Sequence, residues 1–376
     1  MSDTADAMPD AKPAPSQEKQ ALGNGEVVSS KTDAPALKRG AVEGADGEEL
    51  SGAKRQARRE PAAAASGGPA AGGCSGNDAP PSSSAAASSP AHIPLAAAFS
   101  EDQGCRHTME DVCVCVLDAR PEPPNQACRL SYFGVFDGHG GSTCASFAAQ
   151  HLHAHVLRCG LLSKGLQAAD AKVDAKACKA CIVEGFKAAD QTLLKECAAK
   201  SWQDGACAVA VWVLQNLVLV ANVGDAKCIL ARMPETAGGA AAAQIMLQPK
   251  AIVLTKEHTA LLERQRIEKA GGTVINGRLA GRVQISRSFG DTAFKKLGCS
   301  STPDVTAFPL TTRDTFLLLG CDGFWGVFGA QEAVDAASKL LAEGKDAKSI
   351  TNRLLNMAIR EKRCADNCTV LLVKFG

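Results

Sequence analysis

The sequence predicts an α+β domain, on three observations. Strand signals come in groups joined by two-residue turns, at Gln215-Asn216 and Gly224-Asp225, and turns that short require antiparallel pairing. Helical stretches cluster between those groups. The regular strand-helix alternation of a parallel sheet is missing, so helices and sheets should separate into layers.

Residues 1–92 are rich in Ala, Ser, Pro and Gly, and the part from 61 to 90 has hardly a large side chain. Such a segment buries too little apolar surface to offset its ordering entropy, and is expected to be a disordered tail. It carries Lys38 and Arg39, then Lys54, Arg55, Arg58 and Arg59, two basic clusters that resemble a bipartite nuclear import signal. A solvated charge run is the plainer alternative.

From 93 to 376 the pattern predicts one folded domain. Short apolar runs rich in β-branched and aromatic residues mark strands over 112–117 and 130–136. Ser142 is placed to cap a helix to 157, with Phe147, Leu152 and Val156 near one face. His151, His153 and His155 lie on it, and only the first and last share a face, so helix or surface roles suit them better than ligation. A second helix covers 172–200, with Ile182, Phe186 and Leu193 as core residues. Strands follow at 206–214, 217–221 and 227–232, then an Ala/Gly-rich loop over 235–244. A helix is expected from Thr259 through Ile267, stopped by Gly271-Gly272. The remainder reads as a strand at 315–319, helices at 330–341 and 347–361, and a last strand at 369–375.

Charge and composition narrow the function. Formal net charge is +1, from 41 basic and 40 acidic residues, so no global field favours nucleic acid or membrane as a partner. No apolar run reaches the ~18 residues of a membrane span, and the first residues lack the basic and apolar regions of a signal peptide. A soluble, intracellular protein, cytoplasmic or nuclear, is expected. The 16 cysteines are spread through apolar segments such as Val112-Cys-Val-Cys-Val116, which suits reduced, buried thiols. Cys178 and Cys181 form a CxxC without a second pair to complete a zinc site. No Cys-x5-Arg loop occurs, which excludes a cysteine nucleophile cradling phosphate.

The chemistry centres on YFGVFDGHGG at 132–141, where an apolar run ends in a carboxylate, a flexible carbonyl and an imidazole. Four acidic stretches adjoin apolar strands: Glu110-Asp111, Asp137-Gly138, Asp322-Gly323 and Asp366-Asn367. Any one could be an ordinary turn. Gathered at one end of a sheet core beside Arg106 and His139, they call for a cation, because buried carboxylates are costly without one. Oxygen ligands select hard ions, Mg²⁺ or Mn²⁺. Neighbouring strand residues face opposite ways, so Glu110 and Asp111 should not contact one ion alike: one binds directly, the other through water.

RHTMED at 106–111, FDGHGG at 136–141, ANVGD at 221–225, RIEKAGG at 266–272, SRSFGD at 286–291, CDGFW at 321–325 and ADNCTV at 365–370 occur in the order seen in the metal-dependent protein phosphatase 2C family, which the chain resembles from about 99 to 375. The resemblance implies a four-layer α-β-β-α sandwich of two antiparallel sheets flanked by helices. It implies hydrolysis of phosphoserine and phosphothreonine in proteins by a water activated between two Mg²⁺ or Mn²⁺ ions, with no phosphoenzyme. Asp137 would bridge the ions, Asp322 and Asp366 would complete one shell, and Glu110 with the Gly138 carbonyl would serve the other. Arg106 would hold the phosphate, its planar fork matching the phosphate oxygens. His139 would be the general acid for the leaving alkoxide, since an imidazole titrates near neutrality. Phosphoprotein substrates are implied, and SYFGVFDGHGG with STPD at 301–304 resembles a kinase-associated branch, which implies a kinase partner. A monomer is expected.

Two departures concern a third, weaker ion. The chain has Gly205-Ala-Cys-Ala208 where the family commonly has Gly-Ser-Thr-Ala, and Gly326 where it often has Asp. Asp204 is the remaining candidate for that site, so a third ion is expected to be weak or absent. Gly224-Asp225 and Gly290-Asp291 read as turns holding the sheet ends. A pseudophosphatase that binds partners without turnover is the alternative function, and retention of all the paired carboxylates argues against it.

Overall fold

The computed structural model describes residues 92–121, 128–166, 172–235 and 248–376. The expected tail with its basic clusters and the loop over 235–244 lie outside the described residues, except at His92 and Glu235.

Strands β1 (Leu95–Asp102), β2 (Val112–Val116) and β3 (Leu130–His139) lead into helices α1 (Thr143–Arg158), α2 (Leu161–Gly165) and α3 (Ala175–Lys200). Then come β4 (Gly205–Leu214), β5 (Leu217–Val223), β6 (Lys227–Arg232) and β7 (Lys250–Val253). Short elements follow: α4 (Arg264–Lys269), β8 (Val274–Ile275), β9 (Arg278–Leu279), β10 (Phe289–Gly290) and α5 (Thr292–Lys295). The chain closes with β11 (Asp304–Pro309), β12 (Asp314–Gly320), α6 (Asp322–Val327), α7 (Ala330–Ala342), α8 (Ala347–Asn356), a π-helical turn (Met357–Glu361) and β13 (Cys368–Phe375). No helix among the described residues is long and apolar enough to cross a membrane.

Two large antiparallel sheets result, β1-β13-β12-β6-β7 and β11-β5-β4-β3-β2, with β10 pairing to β4, beside a two-stranded β8-β9 ribbon. The Gln215-Asn216 turn joins paired strands as expected, but the Gly224-Asp225 turn does not: β5 and β6 lie in different sheets, so the chain crosses from one layer to the other there. Period-two alternation explains how the two large sheets stack. Phe133, Val135, Val209, Val211 and Val213 point one way and share a buried cluster with Ile229, Leu317, Leu319 and Leu371 of the first sheet. Tyr132, Phe136, Ala208, Ala210 and Trp212 point the other way, onto Leu152 of α1 and Phe186 of α3. Val334 of α7 and Ile350 and Leu354 of α8 cover the first sheet. The order is therefore α-β-β-α, the expected fold.

Local differences from the sequence reading have tertiary causes. The Leu-Ala-Ala-Ala run of β1 gives no strand signal, alanine being the best helix former. Pairing with β13 along its whole length, from Leu95 against Phe375 to Asp102 against Cys368, makes it a strand. The helix expected from Thr259 starts only at Arg264, because Thr259 bridges to Ile285 and the Ala260 N–H donates to Gln284 O. Ser142 stands at the N-cap of α1 but makes no side-chain cap; the Asp204 carboxylate accepts the Cys144 N–H instead, at 2.7 Å. His153 is satisfied on both nitrogens, by the Trp212 indole N–H at 3.0 Å and Ala119 O at 2.8 Å. Cys113, Cys115, Cys178 and Cys181 are free thiols within the fold.

The stretch between β7 and β11 has only short elements, and one carboxylate organises it. Glu263, 15% exposed, takes bonds from the Arg287 and Arg266 guanidiniums and from the Ser286 hydroxyl, with closest distances of 2.5, 2.7 and 2.7 Å. Arg266 and Arg287, each from a family-like motif, are thus structural. Burial tends to raise the Glu263 carboxyl, but the two arginines and Ser286 outweigh it and hold it at about 2, below the usual 4.5. Because the folded carboxyl titrates below the unfolded one, its stabilisation is full above about pH 4.5 and is lost as pH falls toward 2. Glu263→Gln is expected to lower the unfolding free energy at pH 7 by about 3 kcal/mol and to flatten stability loss between pH 4.5 and 2. Urea melts across that range check both; an unchanged acid limb would contradict the assignment.

Candidate active site

Antiparallel register gathers the acids. Val112 pairs with Phe136, which sets Asp111 beside Asp137 at one end of the second sheet. Gly320 pairs with Val370, so the exit of β12 at Cys321-Asp322 meets the approach to β13 at Asp366-Asn367. Asp102 pairs with Cys368, which lays the 103–110 loop, carrying Arg106 and Glu110, over the same end. Two glycines permit the close approach. A Cβ on Gly138 would stand 2.5 Å from Glu110 O, and one on Gly323 would stand 2.0 Å from Asn367 O.

Asn367 locks these loops together. Its Oδ1 accepts the Glu110 N–H at 2.8 Å, and its Nδ2 donates to Gln103 O and Thr108 O, both at 2.9 Å. The Asp322 N–H donates to Asp137 Oδ2 at 3.3 Å. Trp325 anchors α6 by donating its indole N–H to Lys227 O at 3.0 Å.

Asp111, Asp137 and Cys321 present ligand atoms within 4.8 Å of one another. Burial, then the charges of Asp322, Asp111 and Asp225, push the Asp137 carboxyl well above the ordinary range. Burial and the neighbouring Asp225, Asp366 and Asp111 raise Asp322 to about 6. Asp111 is raised chiefly by burial, although the Thr369 hydroxyl donates to it at 2.6 Å. Cys321 stays a neutral thiol, driven up by burial and by Asp111 and Asp137; it accepts the Thr369 N–H at 3.1 Å and so belongs to the scaffold. Mutually repelling carboxylates of this kind fit hard divalent cations. Arg106 stands at the mouth, 58% exposed on its side chain, with Nη2 2.6 Å from Asp366 Oδ2. Its other guanidinium nitrogens have no partner among the described residues.

His139 Nε2 lies 2.9 Å from Asp291 Oδ2, and the Ser288 hydroxyl donates to that same oxygen at 2.5 Å. Burial pulls the imidazole down, but the Asp291 bond and the charges of Asp291, Asp225 and Asp204 outweigh it, so the net shift is upward. Asp225 and Asp291 therefore do more than close turns. SRSFGD and ANVGD flagged the segments in sequence, but the partners they reach, more than 50 residues away, appear only in the fold. Asp204 is engaged by α1, as described above, and a Cβ on Gly326 would meet nothing within 4 Å.

The family model of protein phosphatase 2C matches residues 95–368. A probable protein phosphatase 2C from Oryza sativa subsp. japonica is 48% identical, over 73% of this chain and 74% of its own length. The human integrin-linked kinase-associated serine/threonine phosphatase 2C is 38% identical, over 74% and 71% respectively. Among solved structures, a serine-threonine phosphatase 2C from Toxoplasma gondii superposes with a TM-score of 0.62 at 23% identity, covering 76% of this chain and 98% of that one. The chain belongs to the protein phosphatase 2C family, and the serine/threonine phosphatase expected from its motifs agrees with the relatives' names.

Replacing Asn367 with Ala should release the 103–110 loop. Phosphopeptide kcat/KM is expected to fall about 10²-fold, with faster amide exchange across 103–110; exchange unchanged from the parent would contradict the clamp.

Proposed function

We propose that this chain hydrolyses phosphoserine and phosphothreonine in proteins with the help of Mg²⁺ or Mn²⁺. The observation that carries this reading is the convergence of Glu110, Asp111, Asp137, Asp322 and Asp366 from four chain segments on one sheet end, with Arg106 at its mouth. Asp137, Asp322 and Asp366 would hold one ion, and Asp137, Glu110 and the Gly138 carbonyl the other. Asp111, bonded to Thr369, suits a water-bridged place. When bound, such a pair of ions lowers the pKa of a shared water and offsets charge on the phosphoryl oxygens.

The protein's own groups supply the rest. Arg106 binds and orients the phosphate through its free guanidinium nitrogens, whose planar fork matches the phosphate oxygens. His139 in its imidazolium form donates Nε2–H to Asp291 Oδ2 and holds a second proton on Nδ1, which has no partner among the described residues. That proton is available to the departing serine or threonine oxygen. Asp291, fixed by Ser288, keeps the ring oriented and favours the charged form. Asp204, engaged on α1, leaves a third ion weak or absent. A kinase partner is supported by likeness to the kinase-associated relative, and residues 93–376 would act as the catalytic domain.

Turnover of a phosphothreonine peptide in Mn²⁺ is expected to vanish on chelation, to return with added Mn²⁺, and to fall about 10³-fold in Asp137→Asn. Turnover that survives chelation would overturn the metal-dependent reading. Silence of the parent with metal would favour the pseudophosphatase alternative.

A further inference from the structure

Next to the acid cluster lies a cavity of about 310 Å³, lined in part by Arg106, Asp322, Asp366, Gly326 and Arg363. Of the nearby cations, Arg360 and Arg363 make no side-chain hydrogen bond or ion pair among the described residues, and of these two only Arg363 lines the cavity. Lys362 is tied to Glu332 at 2.6 Å, Arg353 to Glu361 at 2.5 Å, and Arg106 to Asp366. Arg363 is exposed and has no hydrogen bond or ion pair among the described residues.

Its backbone is unusual as well. Arg363 sits at φ 58, the left-handed region that non-glycine residues rarely adopt. The turn is forced from both sides. The helix that begins as α8 widens into the π-helical turn Met357–Glu361, and the Lys362 and Cys364 N–H groups donate back to Met357 O and Ala358 O, both at 2.9 Å. Lys362 is thereby turned toward α7, while Arg363 lines the cavity wall beside the acids. Arg363 thus takes the left-handed position just past the helix end. At Gly326 a Cβ would meet nothing within 4 Å, so the cavity keeps open room at that wall.

We infer that Arg363 forms a specificity subsite for an anionic group, a carboxylate or a second phosphate, flanking the phosphorylated residue of the substrate. This rests on the phosphatase reading above and adds a substrate preference to it. Arg106 takes the phosphate that is removed, and Arg363 takes the neighbouring charge. A free guanidinium suits either anion through paired N–H bonds.

The test uses the full chain with Mn²⁺ and phosphothreonine peptides in which glutamate, or separately phosphoserine, is placed in turn at the two positions on either side of the phosphothreonine, with initial loss of the phosphothreonine phosphate alone followed by mass spectrometry. An acidic neighbour at one position should raise kcat/KM over the alanine peptide about fivefold, and less at high salt. Arg363→Gly relieves the positive φ and should therefore fold, yet bring that ratio to about one. Arg363→Lys should keep part of the preference, and Arg363→Glu should invert it. Preference for phosphoserine alone would identify the anion as a second phosphate, and preference for both would admit acidic side chains. A parent that turns over all peptides alike, or an Arg363→Gly protein with the parent's ratio, would overturn the subsite while leaving the phosphatase reading intact. No turnover of any peptide would overturn both.

Discussion

Repulsion among carboxylates is the interaction on which this structure turns. Burial first, and then the charges of neighbouring acids at one sheet end, raise the carboxyls of Asp111, Asp137 and Asp322, with Asp137 affected most. A fold does not gather such groups without opposing forces. Here those forces are the apolar core between the sheets, the register of β12 against β13 and β2 against β3, and the Asn367 clamp. The core sets the strands; the strands aim the acids; the acids create the demand for a cation.

A second consequence is a division of labour among the arginines. Arg266 and Arg287 are consumed by Glu263 and hold an irregular stretch in place, where their charge is worth more to stability than to binding. Arg106 and Arg363 border the acid cluster, one in a single ion pair and one in none among the described residues. Burial and partner count separate these roles, since residue type alone cannot.

Much of the fold was legible in the sequence because its signals are local. The all-buried β4 and the two-residue turn at Gln215-Asn216 show as a continuous apolar run and punctuation. The strand β1 was hidden because alanine favours a helix until a neighbouring strand pairs with it. The acids of the site were legible for a similar reason: each sits beside an apolar strand or a glycine. What lay hidden were relations across long sequence separations. The pairing of His139 with Asp291 and the capping of α1 by Asp204 rather than Ser142 depend on which loops meet in space. Arg363 carries no motif at all; only its backbone angle and its place on the cavity wall mark it.

The negative charge concentrated at this sheet end is proposed to hold divalent cations. Isothermal titration of the metal-free protein with Mn²⁺ tests this most directly. Saturable binding at two sites is expected, with a third weak or absent, and loss of binding when Asp137, the proposed shared ligand, becomes Asn. Three sites of comparable strength, or binding undiminished by that substitution, would contradict it.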